Sequence, residues 1–457
     1  MIDYKYISNI VGEDNCFYDD AHLEAYSYDA TNNQYRPDLV IYPRDESDIS
    51  KILKYCNDNK IPIVPRGAGS GFSGGALPVN GGIVLALEKH LNRILEIDDK
   101  NLIARVQPAV INKYLQNEVE KLGLFYPPDP ASLEFSTIGG NVSENAGGMR
   151  AVKYGVTKDY IVALRAVMPN GDIICAGKKT IKDVAGYNLI GTLIASEGTL
   201  AVITEITIRL LPKPKYKCSA LGVFNSMRDS IDAVCKSMAN GVIPVAMEFL
   251  DHLTINAIEK KISKGLPLHA GAILITQVDG DSKDSINNQI NLIKKVFTEN
   301  RCVSFIKTIN DEDEDNLWSI RRSASQSISI YGEKKINEDV SVLRTKLPIL
   351  LDKINEIGDK YNLKIPCFGH AGDGNVHVNV MTTSNKEGID IGYKCIDEIL
   401  KLVLSLDGTL SGEHGIGISK GKFMKLAFSL EEMNLFRRIK YAFDPNNILN
   451  PGKMGLT

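Results

Sequence analysis

Two short motifs hold three of the chain's seven histidines: Phe368-Gly-His370-Ala-Gly-Asp-Gly-Asn-Val-His377 and Ser411-Gly-Glu413-His414-Gly415. His370 and His377 stand seven apart across a Gly-Asp-Gly turn, a spacing that can bring two imidazoles together, and Glu413 adds a hard oxygen donor. Two imidazoles and one carboxylate leave coordination positions open, which is the donor set of a catalytic metal site. On extended backbone, adjacent side chains point apart, so Glu413 and His414 are expected to divide the work, one as ligand and one as base. Spacing alone admits equally two hydrogen-bonded histidines flanking a hairpin.

A second concentration of unusual residues is Pro65-Arg-Gly-Ala-Gly-Ser-Gly-Phe-Ser-Gly-Gly-Ala76, with five glycines in the ten residues from Gly67. Glycine lets successive backbone N–H groups turn toward an anion, so the run suits a pyrophosphate. Gly69, Gly71 and Gly74 match the dinucleotide fingerprint formally, but that fingerprint hands its phosphate to a helix starting within it. Here Leu77-Pro-Val-Asn-Gly-Gly82 is turn chemistry leading to a strand over Ile83–Leu87, and no Lys-Ser/Thr follows, so neither a Rossmann turn nor a Walker loop fits. By itself the run is as compatible with a glycine-rich turn as with a phosphate cradle. Pro128-Asp-Pro-Ala-Ser132 and Ser136 to Gly148 are again dense in glycine and short polar side chains, which suits backbone packed against a flat polar ligand.

These motifs need a scaffold. Asp38–Tyr42, the helical spacing of Ile49, Ile52, Leu53 and Cys56, and Ile61–Val64 read strand, helix, strand. Leu200 to Leu210 alternates as a strand, and Pro214 then marks a domain boundary. Beyond it, helical stretches at Asp284–Phe297, Lys346–Lys360 and Tyr393–Leu406 alternate with strand-like runs at Ala270–Val278 and Val376–Met381, the texture of an α+β domain. The acidic run Asp311–Asp315 is expected to cap the helix carrying Trp318 and Arg321.

A length of 457 residues suggests about three folding units. With 53 Lys plus Arg against 56 Asp plus Glu there is no positive field to gather nucleic acid. No apolar stretch approaches the roughly 18 to 20 residues of a membrane span, and Met1-Ile-Asp-Tyr-Lys-Tyr6 lacks a signal core, so the cytoplasm is the expected location. Eight dispersed cysteines form no Cys-x-x-Cys pair, which excludes a readable iron–sulfur or zinc cluster and points to reduced thiols.

Taken together, the loop at 65–76, the 128–148 segment and Ser196-Glu-Gly-Thr-Leu200 resemble the FAD-binding domain of the vanillyl-alcohol oxidase and p-cresol methylhydroxylase superfamily. The resemblance implies an α+β fold. A two-part FAD-binding domain would occupy residues 1–214, with its core at about 35–214. An α+β cap, or substrate, domain with an antiparallel sheet would occupy 215–410, and a segment at 411–457 would return to the FAD domain. It also implies FAD contacts from Gly67, Ala68, Gly69, Ser70, Gly71, Ser73, Pro130, Ser132, Ser136, Thr137, Gly140, Asn141, Asn145, Gly148, Glu197, Val202 and Asn450. Ser70 stands where some relatives tether the flavin through a histidine, so the FAD is expected to be non-covalent.

The histidine and glutamate motifs resemble those of the D-2-hydroxy-acid dehydrogenase branch, which includes the flavin-bearing component of glycolate oxidase, FAD-dependent D-lactate dehydrogenases and D-2-hydroxyglutarate dehydrogenase. By that resemblance His370, His377 and Glu413 bind a divalent metal, Zn²⁺ or Fe²⁺, and His414 is the base. Trp318-Ser-Ile-Arg321-Arg322 resembles the segment that binds the substrate carboxylate; Arg321 is the expected anchor, because a guanidinium grips a carboxylate through two parallel hydrogen bonds. Arg322 is expected on a solvated face, and Asn375 is a further candidate substrate contact.

The expected activity is FAD-dependent, metal-assisted oxidation of a small D-2-hydroxy acid, D-lactate or glycolate, to the 2-oxo acid. The alternatives are a D-2-hydroxyglutarate-type enzyme and a non-catalytic flavin relay protein, which would lack part of the base and metal set. With no nicotinamide site visible, the resemblance implies transfer of electrons to an electron-transfer flavoprotein, to flavin or iron–sulfur partner subunits, or to a quinone.

Overall fold

Leu39–Ile41 and Ile63–Arg66 are strands separated by the helix Glu46–Asn59, whose Ile49, Ile52, Leu53 and Cys56 are fully buried. Asp45 starts the helix by accepting the Asp48 N–H, and Lys60 ends it in the left-handed conformation. Both strands pair in parallel with Ile83–Ala86, and Cys16–Phe17 adds an antiparallel edge. The strand after the glycine loop therefore enters the same sheet directly, with no helix between, as turn chemistry at 77–82 predicts.

The computed structural model describes residues 2–456 and divides into two units. The first comprises the described residues up to Gly148, Gly155–Lys213 and those from Glu413 onward. Beside the four-stranded sheet it contains a five-stranded antiparallel sheet in the order Ile94–Asp98, Ile103–Val106, Val202–Arg209, Ile161–Val167, Ile173–Gly177. A short helix, Ile138–Glu144, forms inside the glycine-rich segment. Thr137 caps it by accepting the Gly140 N–H, and Gly139 is needed because a Cβ there would lie 2.9 Å from the Pro108 carbonyl oxygen. The C-terminal segment is tied to the four-stranded sheet, since the Ile63 N–H donates to Ile448 and the Asn450 N–H to Ile63.

The second unit comprises Met149–Tyr154 and Pro214–Gly412. Its core is a seven-stranded antiparallel sheet in the order Cys302–Lys307, Tyr216–Phe224, Ala272–Gly280, Ala246–Asp251, Cys367–His370, Asn375–Thr382, Lys334–Ser341. Helices form at Lys283–Glu299 and Leu347–Tyr361, close to their predicted spans. The one predicted from Tyr393 instead begins at Lys386, where Asn385 accepts the Gly388 N–H; two glycines, Gly388 and Gly392, hide the first turns from propensity. The helix Asp311–Ser327 is capped by Asn310, not by the acidic run, whose carboxylates occupy the first turn and favour its positive end. Among the described residues no helix is long and apolar enough to cross a membrane.

Candidate functional site

In the first unit a solvent-open cleft is lined by Gly67, Ala68, Gly69, Ser70, Gly71 and Ser73 of the glycine loop. Pro130, Ser132, Ser136, Thr137, Gly140 and Asn141 of the second segment line it as well, together with Glu197 and Val202. A Cβ at Gly67 would stand 2.4 Å from Thr137 Oγ1, so the loop packs on that segment at closest approach, whereas a Cβ at Gly71 would meet nothing within 4 Å. Glu413 and His414 line the same cleft, with the His414 ring 5.3 Å from Phe72. Their backbone is a bend rather than the extended stretch predicted, because Gly415 turns the chain at φ +89°.

Three residues predicted to contact the ligand do not line the cleft. Asn145 ends the helix Ile138–Glu144 in the left-handed conformation, and its side chain accepts the Lys158 N–H. Gly148 packs on the Asp129 backbone. Asn450 lies behind the lining, where its Nδ2 donates to the carbonyls of Gly75 and Glu197.

In the second unit, strand pairing places a set of polar side chains on one face of the sheet. Glu248 lies directly opposite His370, and the Cys367–His370 and Asn375–Thr382 strands form a hairpin pairing Phe368 with His377 and His370 with Asn375. Gly374 makes the turn possible: it has φ +87°, and a Cβ there would lie 2.0 Å from the Val342 carbonyl oxygen. The His370 and His377 rings are 5.3 Å apart, edge to face. Glu248, fully buried, bonds His370 Nδ1 through Oε1 at 2.7 Å and accepts from Arg321 Nε through Oε2 at 2.7 Å. Burial opposes its charge, but His370 and Arg321 outweigh burial and hold the carboxyl below its ordinary range. The Arg321 guanidinium also lies 4.9 Å over the Phe368 ring. Asn375 is drawn inward by its Nδ2 donations to Asp339 and the Val340 carbonyl, so only its Oδ1, without a hydrogen-bond partner among the described residues, remains as an acceptor. Asp339 also binds the Ser411 hydroxyl and the Gly412 N–H, fixing the chain one residue before Glu413.

Residues 213–454 match the C-terminal domain of FAD linked oxidases, and residues 37–177 match an FAD binding domain. The chain is 42% identical to the glycolate oxidase subunit GlcD of Bacillus subtilis (strain 168) over 97% of its own length and 95% of that protein's. The chain belongs to the FAD-linked oxidases. It is 33% identical to a D-lactate dehydrogenase of Anaerostipes hadrus, over 92% of this chain and 90% of that one. Among solved structures, p-cresol methylhydroxylase with substrate bound shares the fold, with a TM-score of 0.83, 18% identity, and coverage of 99% of this chain and 96% of that one.

As in an FAD-linked oxidase, the cleft is built to receive a polar ligand. Arg66 Nη1, Ser136 Oγ, Asn141 Nδ2 and Glu144 Oε2 are buried along it without a hydrogen-bond partner among the described residues, and buried polar atoms are ordinarily paired. They fit the phosphates, hydroxyls and ring heteroatoms of FAD. Arg66 and Glu144 escape a motif-based reading because the glycine and asparagine signals beside them are stronger. Glu144 and Glu197 are neighbouring buried carboxyls. Burial and then the charge of Glu197 push Glu144 well up, while Glu197, also raised by burial, receives the N–H groups of Ile416 and Gly417. Of the two, Glu144 is the one more strongly driven toward its protonated form, because among the described residues only Glu197 receives backbone N–H groups. Burial lowers Lys453, in the same unit, to about 8.

Proposed function

We propose that the protein oxidises a small D-2-hydroxy acid, D-lactate or glycolate, to its 2-oxo acid, using non-covalent FAD and a divalent metal, Zn²⁺ or Fe²⁺. When bound, FAD supplies an acceptor for the hydride of C2, and the metal supplies a positive charge that lowers the pKa of the hydroxyl. His370, His377 and Glu413 are the ligands assigned to the metal, and the residues lining the first unit's cleft other than Glu413 and His414 are those assigned to FAD. Arg321 receives the substrate carboxylate in its planar fork. His414 takes the hydroxyl proton, a task suited to an imidazole because its ordinary pKa lies near neutrality. Asn375 Oδ1 can accept a hydrogen bond from substrate.

The observation carrying this reading is the polar face of the antiparallel sheet. Glu248, His370, His377 and Arg321 converge where a purely structural sheet would place apolar side chains. We assign residues 1–214 with 411–457 to FAD binding and 215–410 to the substrate cap. Electrons leave through a partner, either an electron-transfer flavoprotein, flavin or iron–sulfur subunits, or a quinone; the naming of the Bacillus relative as one component of an oxidase supports the multi-subunit form. Eight free cysteines support the cytoplasm as the compartment. The test is dye-linked turnover of purified protein against D- and L-2-hydroxy acids. D-lactate or glycolate should be turned over and L-lactate should not; inactivity toward every 2-hydroxy acid would contradict the proposal.

A further inference from the structure

We infer that Glu248 is a positioning residue shared by the metal site and the substrate anchor: one buried carboxylate fixes which nitrogen His370 presents and how Arg321 presents its fork. This rests on the proposed roles of His370 and Arg321. Glu248 is opposite His370 in the strand register, and its own side chain is fully buried. A carboxylate in such a place is unfavourable unless fully paired, and here each oxygen has its own partner at 2.7 Å. An imidazole that donates from Nδ1 presents Nε2 as its electron pair, so Oε1 selects the tautomer that ligates through Nε2. Oε2 engages Arg321 at Nε, which leaves the two terminal nitrogens as the donors for a carboxylate. The Phe368 ring under the guanidinium restrains its plane.

Because two oxygens of one side chain serve two functions, a change at Glu248 should weaken both, whereas a change at either partner should weaken one. The probes are Zn²⁺, measured by competition with a chromophoric chelator, and propionate, which has a carboxylate but no hydroxyl, titrated into metal-stripped FAD-loaded protein and read from the flavin spectrum. Glu248→Leu should lower Zn²⁺ affinity by about 10- to 100-fold and propionate affinity by about tenfold, with FAD content unchanged. Glu248→Asp, which keeps both acceptor oxygens on a shorter arm, should restore part of each. Arg321→Ala should lose propionate alone, and His370→Ala Zn²⁺ alone. If the leucine variant does not fold, Glu248→Gln decides: with one acceptor oxygen for two donors it must weaken at least one probe. Wild-type affinity for both probes in the leucine or glutamine variant overturns the inference, as does a leucine variant impaired in one probe only. A wild-type protein that takes up no Zn²⁺ instead sinks the metal assignment itself, and the His370 half of this inference with it.

Discussion

The two regions assigned to the proposed chemistry are made of different materials. The cleft of the first unit is mostly backbone and small side chains: the glycine loop, Ser136, Thr137, Gly140 and Asn141. The sheet face of the second unit is made of large ionisable side chains, each held by another, with Glu248 gripping His370 and Arg321. A backbone site fails when an atom is added, because the space is the ligand's. A side-chain site fails when a partner is removed, because an unpaired buried charge is left behind. The first suits a cofactor of fixed shape, the second a reaction in which charge develops.

His414 offers the sharpest way to break this division, since it lines the backbone cleft yet is assigned to the chemistry. His414→Ala should slow flavin reduction by roughly 10²- to 10⁴-fold in anaerobic stopped flow while FAD content stays at the wild-type level. Loss of FAD along with the rate would merge the two roles.

Asp251 sharpens the side-chain half. Partly buried, it accepts the N–H of Thr254 at a helix start and that of Cys367 in the histidine strand, and burial raises its pKa to about 6. The folded value lies above the unfolded value of about 3.9, so its stabilising contribution is complete below pH ~4 and is lost as pH rises through 6. The loss is on the order of 3 kcal/mol. The thermal midpoint of wild type relative to Asp251→Asn should therefore fall between pH ~4 and ~7; a pH-independent difference would refute the assignment.

Gly67→Ala probes the backbone half. The added Cβ would stand 2.4 Å from Thr137 Oγ1, and overpacking of about 1–3 kcal/mol should weaken FAD roughly 5- to 150-fold in equilibrium dialysis. Wild-type retention of FAD would show that the loop yields freely.

Local motifs made much of this legible in advance. The glycine loop and the hairpin carrying His370 and His377 are each local in the chain, so their geometry depends on near neighbours in sequence. Glu248 was not legible, because it lies 122 residues from His370 and meets it only through strand pairing. The helix Ile138–Glu144 was hidden by Gly139 and Gly140, whose low propensity is overridden by the Thr137 cap and close packing on Pro108. Asn145 and Gly148 carry the same residue types as true lining positions, and types alone cannot distinguish a residue that shapes a loop from one that faces its ligand.

The central claim is that FAD and the reacting hydroxyl are held by separable sets of residues. FAD-loaded protein should be stripped of metal with a chelator and mixed anaerobically with whichever D-2-hydroxy acid the substrate panel selects, while flavin absorbance is followed. The expected result is flavin that stays bound and oxidised, with reduction restored when Zn²⁺ or Fe²⁺ is returned. Loss of the flavin together with the metal would contradict separability, and full-rate flavin reduction in protein verified to be metal-free would contradict the metal's part in holding the hydroxyl.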